Sequence, residues 1–290
     1  MSKELRSRLL VAAVGIPFGF FMAYQGGWLL AVVLAGVAAL GAHEFYTLAS
    51  AKAGKPLGWF GIPTSALLVL VAAWEPTFPA WGDRALALLL FLGLITSAAV
   101  IFNRNFQEGP LFSAAATVSG ALYTGGTLAF AVFLRELPEM RGTVPPEPWE
   151  GALLMLFPLW VTWSGDSAAY FVGKRFGRRK LAPKVSPGKT VEGGLAGVVG
   201  SVVAGALAGL LLGSFENFPV GPVAGGLIGV ALSVAGQLGD LAESVLKREA
   251  GVKDSGTLLP GHGGALDRFD ALFFTVPLTY GLVLLVQVLR

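Results

Sequence analysis

The sequence predicts an all-α fold, a polytopic integral membrane helical bundle with about nine transmembrane segments. Three observations lead there. First, of 290 residues 54% are hydrophobic and only 13% charged, where a soluble domain carries roughly 25% charged residues; the mean hydropathy is +0.68. Second, the apolar residues form long runs, most of them reaching the roughly 17–25 residues that a helix needs to cross the hydrocarbon core. Third, lysine and arginine gather in alternate connections, as in the cytoplasmic loops of membrane proteins. Forty glycines suit helices that approach closely in lipid. The absence of cysteine excludes disulfides, thiolate catalysis and cysteine-ligated metals. Two histidines, His43 and His262, are too few for a histidine-rich metal site.

In order, the segments lie at about 9–24, 28–43, 57–74, 85–102, 111–134, 151–172, 193–213, 219–246 and 271–289. The basic start "MSKELRSRLLVAAVGIPFGFF" has no clear small-residue cleavage motif after it, so it reads as a first span rather than a signal peptide. The first two segments are short and glycine-broken, and fit either two crossings or a hairpin that only partly enters the membrane. Residues 1–135 form a region of membrane helices. Residues 150–290 form a second region, with loops at 173–192 and 247–268 that carry its polar chemistry.

Orientation follows from charge. Lys3, Arg6 and Arg8, then Lys52 and Lys55, then the run from Lys174 to Lys189, fall on one side if the crossings alternate. The opposite side receives "EPTFPAWGDR", "RELPEMRGTVPPEPWE" and "GSFENFP". The basic side is expected to be cytoplasmic, which also places residues 247–268 there. In the seventh segment Gly193, Gly197, Ser201, Gly205, Gly209 and Gly213 recur every four residues, and Gly221, Gly225 and Gly229 open the eighth. Such a flat stripe serves packing inside the bundle or a dimer interface.

Charge inside a membrane segment is costly and marks function by default. Asp166 lies well inside the sixth segment. If the eighth stays helical to its end, Gln237, Asp240, Ser244 and Lys247 are spaced three, four and three, and share one face. A carboxylate, a hydroxyl and an ammonium on one face suit a metal and a phosphate; the plainer reading is a helix end emerging into water. "GHGGALDRFD" then adds Asp267 and Asp270 at the start of the ninth segment. Acids near a helix start also serve as caps, but caps do not account for Gly261, His262, Gly263 and Gly264. Glycine lets backbone approach a ligand, and backbone N–H groups hold phosphate oxygens. Oxygen-only carboxylate ligands suit Mg²⁺.

The basic connection reads "KLAPKVSPGKTVEGG". Arg178, Arg179 and Lys180 are explained by topology or anionic lipid. Ser186, Gly188, Lys189 and Thr190 add hydroxyls and a glycine suited to phosphate. "GKT" ends the P-loop pattern, but that pattern needs glycine at position 183, which is proline, and no strand is expected before it. His262 reads as a hydrogen-bonding or phosphate contact rather than a base, and His43 with Glu44 as an interfacial cap.

The run "SVLKREAGVKDSGTLLPGHGGALDRFD", residues 244–270, closely resembles the signature of the phosphatidate cytidylyltransferases, also called CDP-diacylglycerol synthases: Ser, Lys-Arg, Lys-Asp-Ser-Gly, Pro-Gly-His-Gly-Gly and Asp-Arg-x-Asp. "GDSAAYFVGKRFGRRKLAPKVSPGKTVEGG" resembles the family's upstream motif, with Val191 where Trp is usual. The resemblance is strong over 160–270 and generic before it. It implies a membrane enzyme that converts CTP and phosphatidate into CDP-diacylglycerol and pyrophosphate, depends on Mg²⁺ with a second cation as an option, and is often a homodimer in membrane lipid. It maps metal-binding acids to Asp240 and Asp267, with Asp270 and Asp166 in similar roles. Catalysis maps to Asp240, Asp267, Lys247 and Asp270. Substrate contacts map to Ser186, Gly188, Lys189, Thr190, Ser244, Arg248, Lys253, Asp254, His262, Gly263, Gly264 and Arg268. No nucleic acid partner is expected. Two other readings stand beside it: a CTP-dependent lipid-alcohol kinase, and an ion or phosphate transporter using Asp166 and Asp240.

Overall fold

A computed structural model describes residues 3–51, 54–103, 109–141, 147–213, 220–256 and 263–289. The helices are α1 (Lys3–Gln25), α2 (Gly27–Ser50), α3 (Gly58–Trp74), α4 (Phe78–Asn103), α5 (Pro110–Ala121), α6 (Thr127–Arg141), α7 (Pro148–Phe176), α8 (Val191–Leu212), α9 (Pro222–Glu249), α10 (Leu266–Phe269) and α11 (Leu272–Val288). A π-helical turn, Leu122–Gly126, joins α5 to α6. The strands β1 (Lys180–Ala182) and β2 (Ser186–Thr190) pair antiparallel, Lys180 opposite Thr190 and Ala182 opposite Ser186.

The all-α membrane expectation holds, and each of the nine apolar segments coincides with helix. Among the described residues, however, six helical stretches are long and apolar enough to cross a membrane: Gly27–Ser50, Phe78–Phe102, Pro110–Pro138, Val191–Leu212, Pro222–Glu249 and Leu266–Val288. The helix α3 is shorter, at 17 residues. The first two segments are longer than expected. Helices α1 and α2 have 23 and 24 residues, and at about 1.5 Å per residue α2 is roughly 36 Å long. Their internal glycines do not break them; the chain breaks at Gly26, whose φ is 63°. The basic connection, expected as loop with no strand, holds the β1–β2 hairpin, and Gly188-Lys189-Thr190 lies inside β2.

Two compact units make up the chain: residues 1–133 with 246–269, and residues 134–245 with 270–290. In the first, α2, α3 and α5 are tied by buried polar contacts. Tyr46 Oη donates to Thr117 O at 2.7 Å, Leu57 N donates to Thr117 Oγ1 at 2.8 Å, and Ser65 Oγ donates to Ala38 O at 3.1 Å. In lipid every backbone and hydroxyl group must find an internal partner, so these bonds fix α2 against its neighbours. Gly61 and Gly120 admit the Tyr46 ring, because a Cβ at either would overlap it. Trp81 packs on Phe78, Phe130 and Phe133 and donates Nε1–H to Leu68 O at 2.8 Å.

The second unit is packed through its small residues. Gly165 of α7 faces Ser201, and Gly193 and Gly197 of α8 face Ala169 and Gly165. Further along, Gly205 and Gly209 face Gly225 and Gly221, and Gly229 faces the Ser201 carbonyl. Most of the four-residue stripe is therefore consumed by packing within the unit, the small-residue contact that drives helix association in lipid.

Candidate active site

The α9 helix runs to Glu249, past the expected end at 246, so Lys247 is helical. Its stop is a Schellman motif: Gly251 at φ 74°, with Gly251 N bonded to Arg248 O at 3.1 Å and Val252 N bonded to Lys247 O at 2.9 Å. Glycine suits the left-handed position that such an end requires. Arg248 is exposed and donates to Val252 O at 3.2 Å.

In the first unit the chain returns onto Lys247. The Lys247 ammonium lies 2.6 Å from Asp267 Oδ1. Asp267 Oδ2 accepts from Ser255 N and Ser255 Oγ at 2.8 Å and from Gly264 N at 2.9 Å. A carboxylate holding these donors is fixed in orientation, because its ionised form can only accept. Gly264 is buried against Glu44 and Ser255, while Gly263 takes φ 79°. Lys253, Asp254 and Arg268 are exposed. His262 lies outside the described residues.

Sequence reasoning missed Glu44. It is no interfacial cap: the side chain is 7% exposed, and it accepts from Ala265 N at 2.9 Å, Leu266 N at 2.7 Å and Ser255 Oγ at 2.9 Å. These partners lie more than 200 residues away along the chain, so no local spacing could reveal them. The one signal present was an acid inside an apolar run.

In the second unit Lys189 Nζ lies 2.6 Å from Asp240 Oδ2, and Ser244 Oγ lies 3.4 Å from Asp240 Oδ1. Asp166 is within electrostatic reach of both Asp240 and Lys189. Lys189 is delivered by β2, whose base is closed by Glu192: its carboxylate accepts from Arg178 N at 3.0 Å and Arg179 N at 3.2 Å. The Thr190 hydroxyl caps α8, accepting from Gly193 N at 3.1 Å. Ser186 is half-buried and Gly188 exposed. Asp270 accepts from Ala271 N at 2.7 Å. Gln237, on the predicted polar face of α9, donates to Gly194 O and Ser233 Oγ, and so serves packing.

Among the described residues no group of three or more His, Asp or Glu side chains is arranged to hold a metal. The donor chemistry of the second unit still fits Mg²⁺, which takes one or two carboxylates and completes its shell with water and substrate phosphate: Asp240 is 38% exposed, and Asp166 stands near it.

A helical membrane protein that pairs lysine with aspartate, Lys247 with Asp267 and Lys189 with Asp240, has the means to handle anionic substrates. The chain belongs to the cytidylyltransferase family, whose model matches residues 6–286, and is a nucleotidyltransferase. It is 35% identical over 299 residues to a phosphatidate cytidylyltransferase of Synechocystis sp., covering 96% of each chain. It is 32% identical over 285 residues to a phosphatidate cytidylyltransferase of Bacillus subtilis, covering 97% of this chain and 98% of that one. An uncharacterized protein, YnbB, of Escherichia coli is 38% identical over 269 residues, covering 92% of this chain and 83% of that one.

Proposed function

We propose that the chain is a phosphatidate cytidylyltransferase of the bacterial inner membrane, acting at the cytoplasmic face. The observation that carries this reading is the Lys247–Asp267 pair at 2.6 Å: residues picked out by the signature at opposite ends of a 20-residue separation meet in one hydrogen-bonded unit. Relatives that match over nearly the whole chain bear the same activity in their names.

In the reaction an oxygen of the phosphatidate phosphate attacks the α-phosphorus of CTP. A new P–O bond forms, the bond from the α-phosphorus to the bridging oxygen breaks, and pyrophosphate leaves with the electron pair. A phosphate oxygen is already ionised at neutral pH, so no base is needed to make the nucleophile. The barrier is instead the repulsion of two anions. Lys247 in the first unit and Lys189 in the second each supply positive charge of the kind that stabilises charge spread over phosphate oxygens. Asp267, held by backbone and serine donors, keeps the Lys247 ammonium in place. Arg248, Lys253 and Arg268 are exposed cations able to meet phosphate. Within the second unit Asp240 and Asp166 would hold Mg²⁺, and the ion would screen phosphate charge and stabilise the leaving pyrophosphate; Asp270 in that unit and Asp267 in the first are each proposed as an oxygen donor in its own right.

A lipid substrate also needs an apolar wall. Within the first unit a cavity of about 280 Å³ is lined by Phe45, Leu48, Phe112, Leu246 and Glu249, among others, and Leu246 adjoins Lys247 in the chain. A nine-crossing topology and a homodimer complete the proposal.

Protein purified in detergent is given phosphatidate, Mg²⁺ and CTP labelled at the α-phosphate, with a lipid alcohol such as diacylglycerol supplied in a parallel reaction. Label entering the lipid fraction supports the reading. Label remaining wholly in CDP points to phosphoryl transfer instead, and absence of turnover over a broad range of conditions favours transport.

A further inference from the structure

We infer that Glu44 is a positioning residue for Asp267 and Lys247, acting through Ser255 and the amides at the start of α10. The inference rests on the cytidylyltransferase reading above for its consequence in turnover, but its structural part stands alone. Glu44 projects from α2, which Tyr46, two residues on, ties to Thr117 O at 2.7 Å. The platform is therefore rigid. What it holds is irregular chain: the described residues between Gly251 and Ala265 form only turns, bends and a single bridge at Gly263, and irregular chain of this kind takes its geometry from the partners of its polar groups.

The bonding pattern divides the labour. Gly264 N donates to Asp267 Oδ2, whereas the next two amides, Ala265 N and Leu266 N, donate to the two oxygens of Glu44. The Ser255 hydroxyl stands 2.9 Å from Glu44 Oε2 and 2.8 Å from Asp267 Oδ2. It has one hydrogen, so it donates to one carboxylate at a time, and the two oxygens share that single donor. Glycine at 256 and 264 makes the insertion possible, since a Cβ at either position would run into the Glu44 carboxyl. Glu44 thus holds Ser255, which bonds Asp267, and the two residues just before Asp267, and Asp267 in turn holds Lys247.

Glu44→Gln is the test, because it keeps size and shape while replacing one acceptor oxygen by an NH₂ group. That group must face either Ala265 N–H, or Leu266 N–H and the Ser255 hydroxyl, so at least one amide loses its acceptor. Outer-shell partners of metal ligands cost roughly 10–100-fold in activity when removed, and the loss for this positioning contact is placed in the same range. The expected result is kcat lowered by about 30-fold or more, KM for CTP changed by less than about threefold, and amide exchange at Ser255 and at 264–267 accelerated about tenfold with exchange in α3 and α4 unchanged. Unchanged kcat in an active preparation overturns the inference, as does exchange that stays at the wild-type rate or rises uniformly through α2, α3 and α4. Ser255→Ala removes the link and leaves the Glu44–amide bonds, so it serves if Glu44→Gln does not fold; a fall of about tenfold in kcat at constant KM is expected, and no fall counts against the link. If the wild-type protein transfers no label to lipid, the functional reading fails, and the exchange experiment still decides the positioning.

Discussion

Lys247 and Asp267 form an ion pair at 2.6 Å with their side chains 13% and 7% exposed. Removing one partner of a shielded pair leaves an uncompensated charge, which is far costlier than losing both. Lys247→Ala is therefore expected to lower the melting temperature in detergent and reduce turnover by about 100-fold or more. A double-mutant cycle with Asp267→Asn reads the coupling, expected at about 1–3 kcal/mol. Additive losses would dissolve the pair as a unit.

Asp267→Asn separates charge from shape. The variant keeps the volume, but its NH₂ group must face either the Lys247 ammonium or the donors of Ser255 and Gly264, all of which now give hydrogen to Asp267. Turnover in the labelled-CTP assay is expected to be nearly abolished while the protein elutes as a folded particle in detergent. Near-normal activity would remove Asp267 from both its charge-holding and its proposed metal-binding role.

The contrast between Asp267 and Glu44 shows what the sequence can carry. Asp267 sits in a dense local signature with Lys247, and composition, spacing and resemblance all pointed to it. Glu44 stands alone in an apolar helix, and its partners, Ser255, Ala265 and Leu266, are brought to it only by tertiary folding. The helices themselves were legible because lipid demands long apolar runs; the β1–β2 hairpin was not, because strands of three and five residues, KLA and SPGKT, are too short to show an apolar period. Thr190 shows the same limit on a smaller scale. Its type suited phosphate, but its hydroxyl caps α8. The glycine stripe was legible as a packing face, though not which helices it would meet: α7 at its N-terminal half and the start of α9 at the other.

Gly264→Ala tests the space at the Glu44 clasp. Its added Cβ would fall on Glu44 Oε2 and Ser255 Oγ, and overpacking of a tight buried site costs typically 1–3 kcal/mol. The expected phenotype is lower stability together with a loss of kcat. Thermal unfolding and steady-state kinetics check it, and a variant matching wild type in both would show that the clasp gives way without consequence.

Gly188→Ala is the complementary experiment on the hairpin. A Cβ at Gly188 meets nothing within 4 Å and its φ is not positive, so alanine fits without strain and stability should hold within about 0.5 kcal/mol, as for surface changes that touch no special feature. If the backbone of β2 receives a phosphate oxygen, however, the same methyl group stands where the ligand must approach. KM for CTP is then expected to rise about tenfold with kcat nearly constant, because the loss falls equally on ground state and transition state. Lys189→Ala in parallel should lower kcat as well, since it removes charge and frees Asp240 from its 2.6 Å partner. An unchanged KM in Gly188→Ala would take Gly188 out of the substrate contacts and leave the hairpin as a support for Lys189 alone.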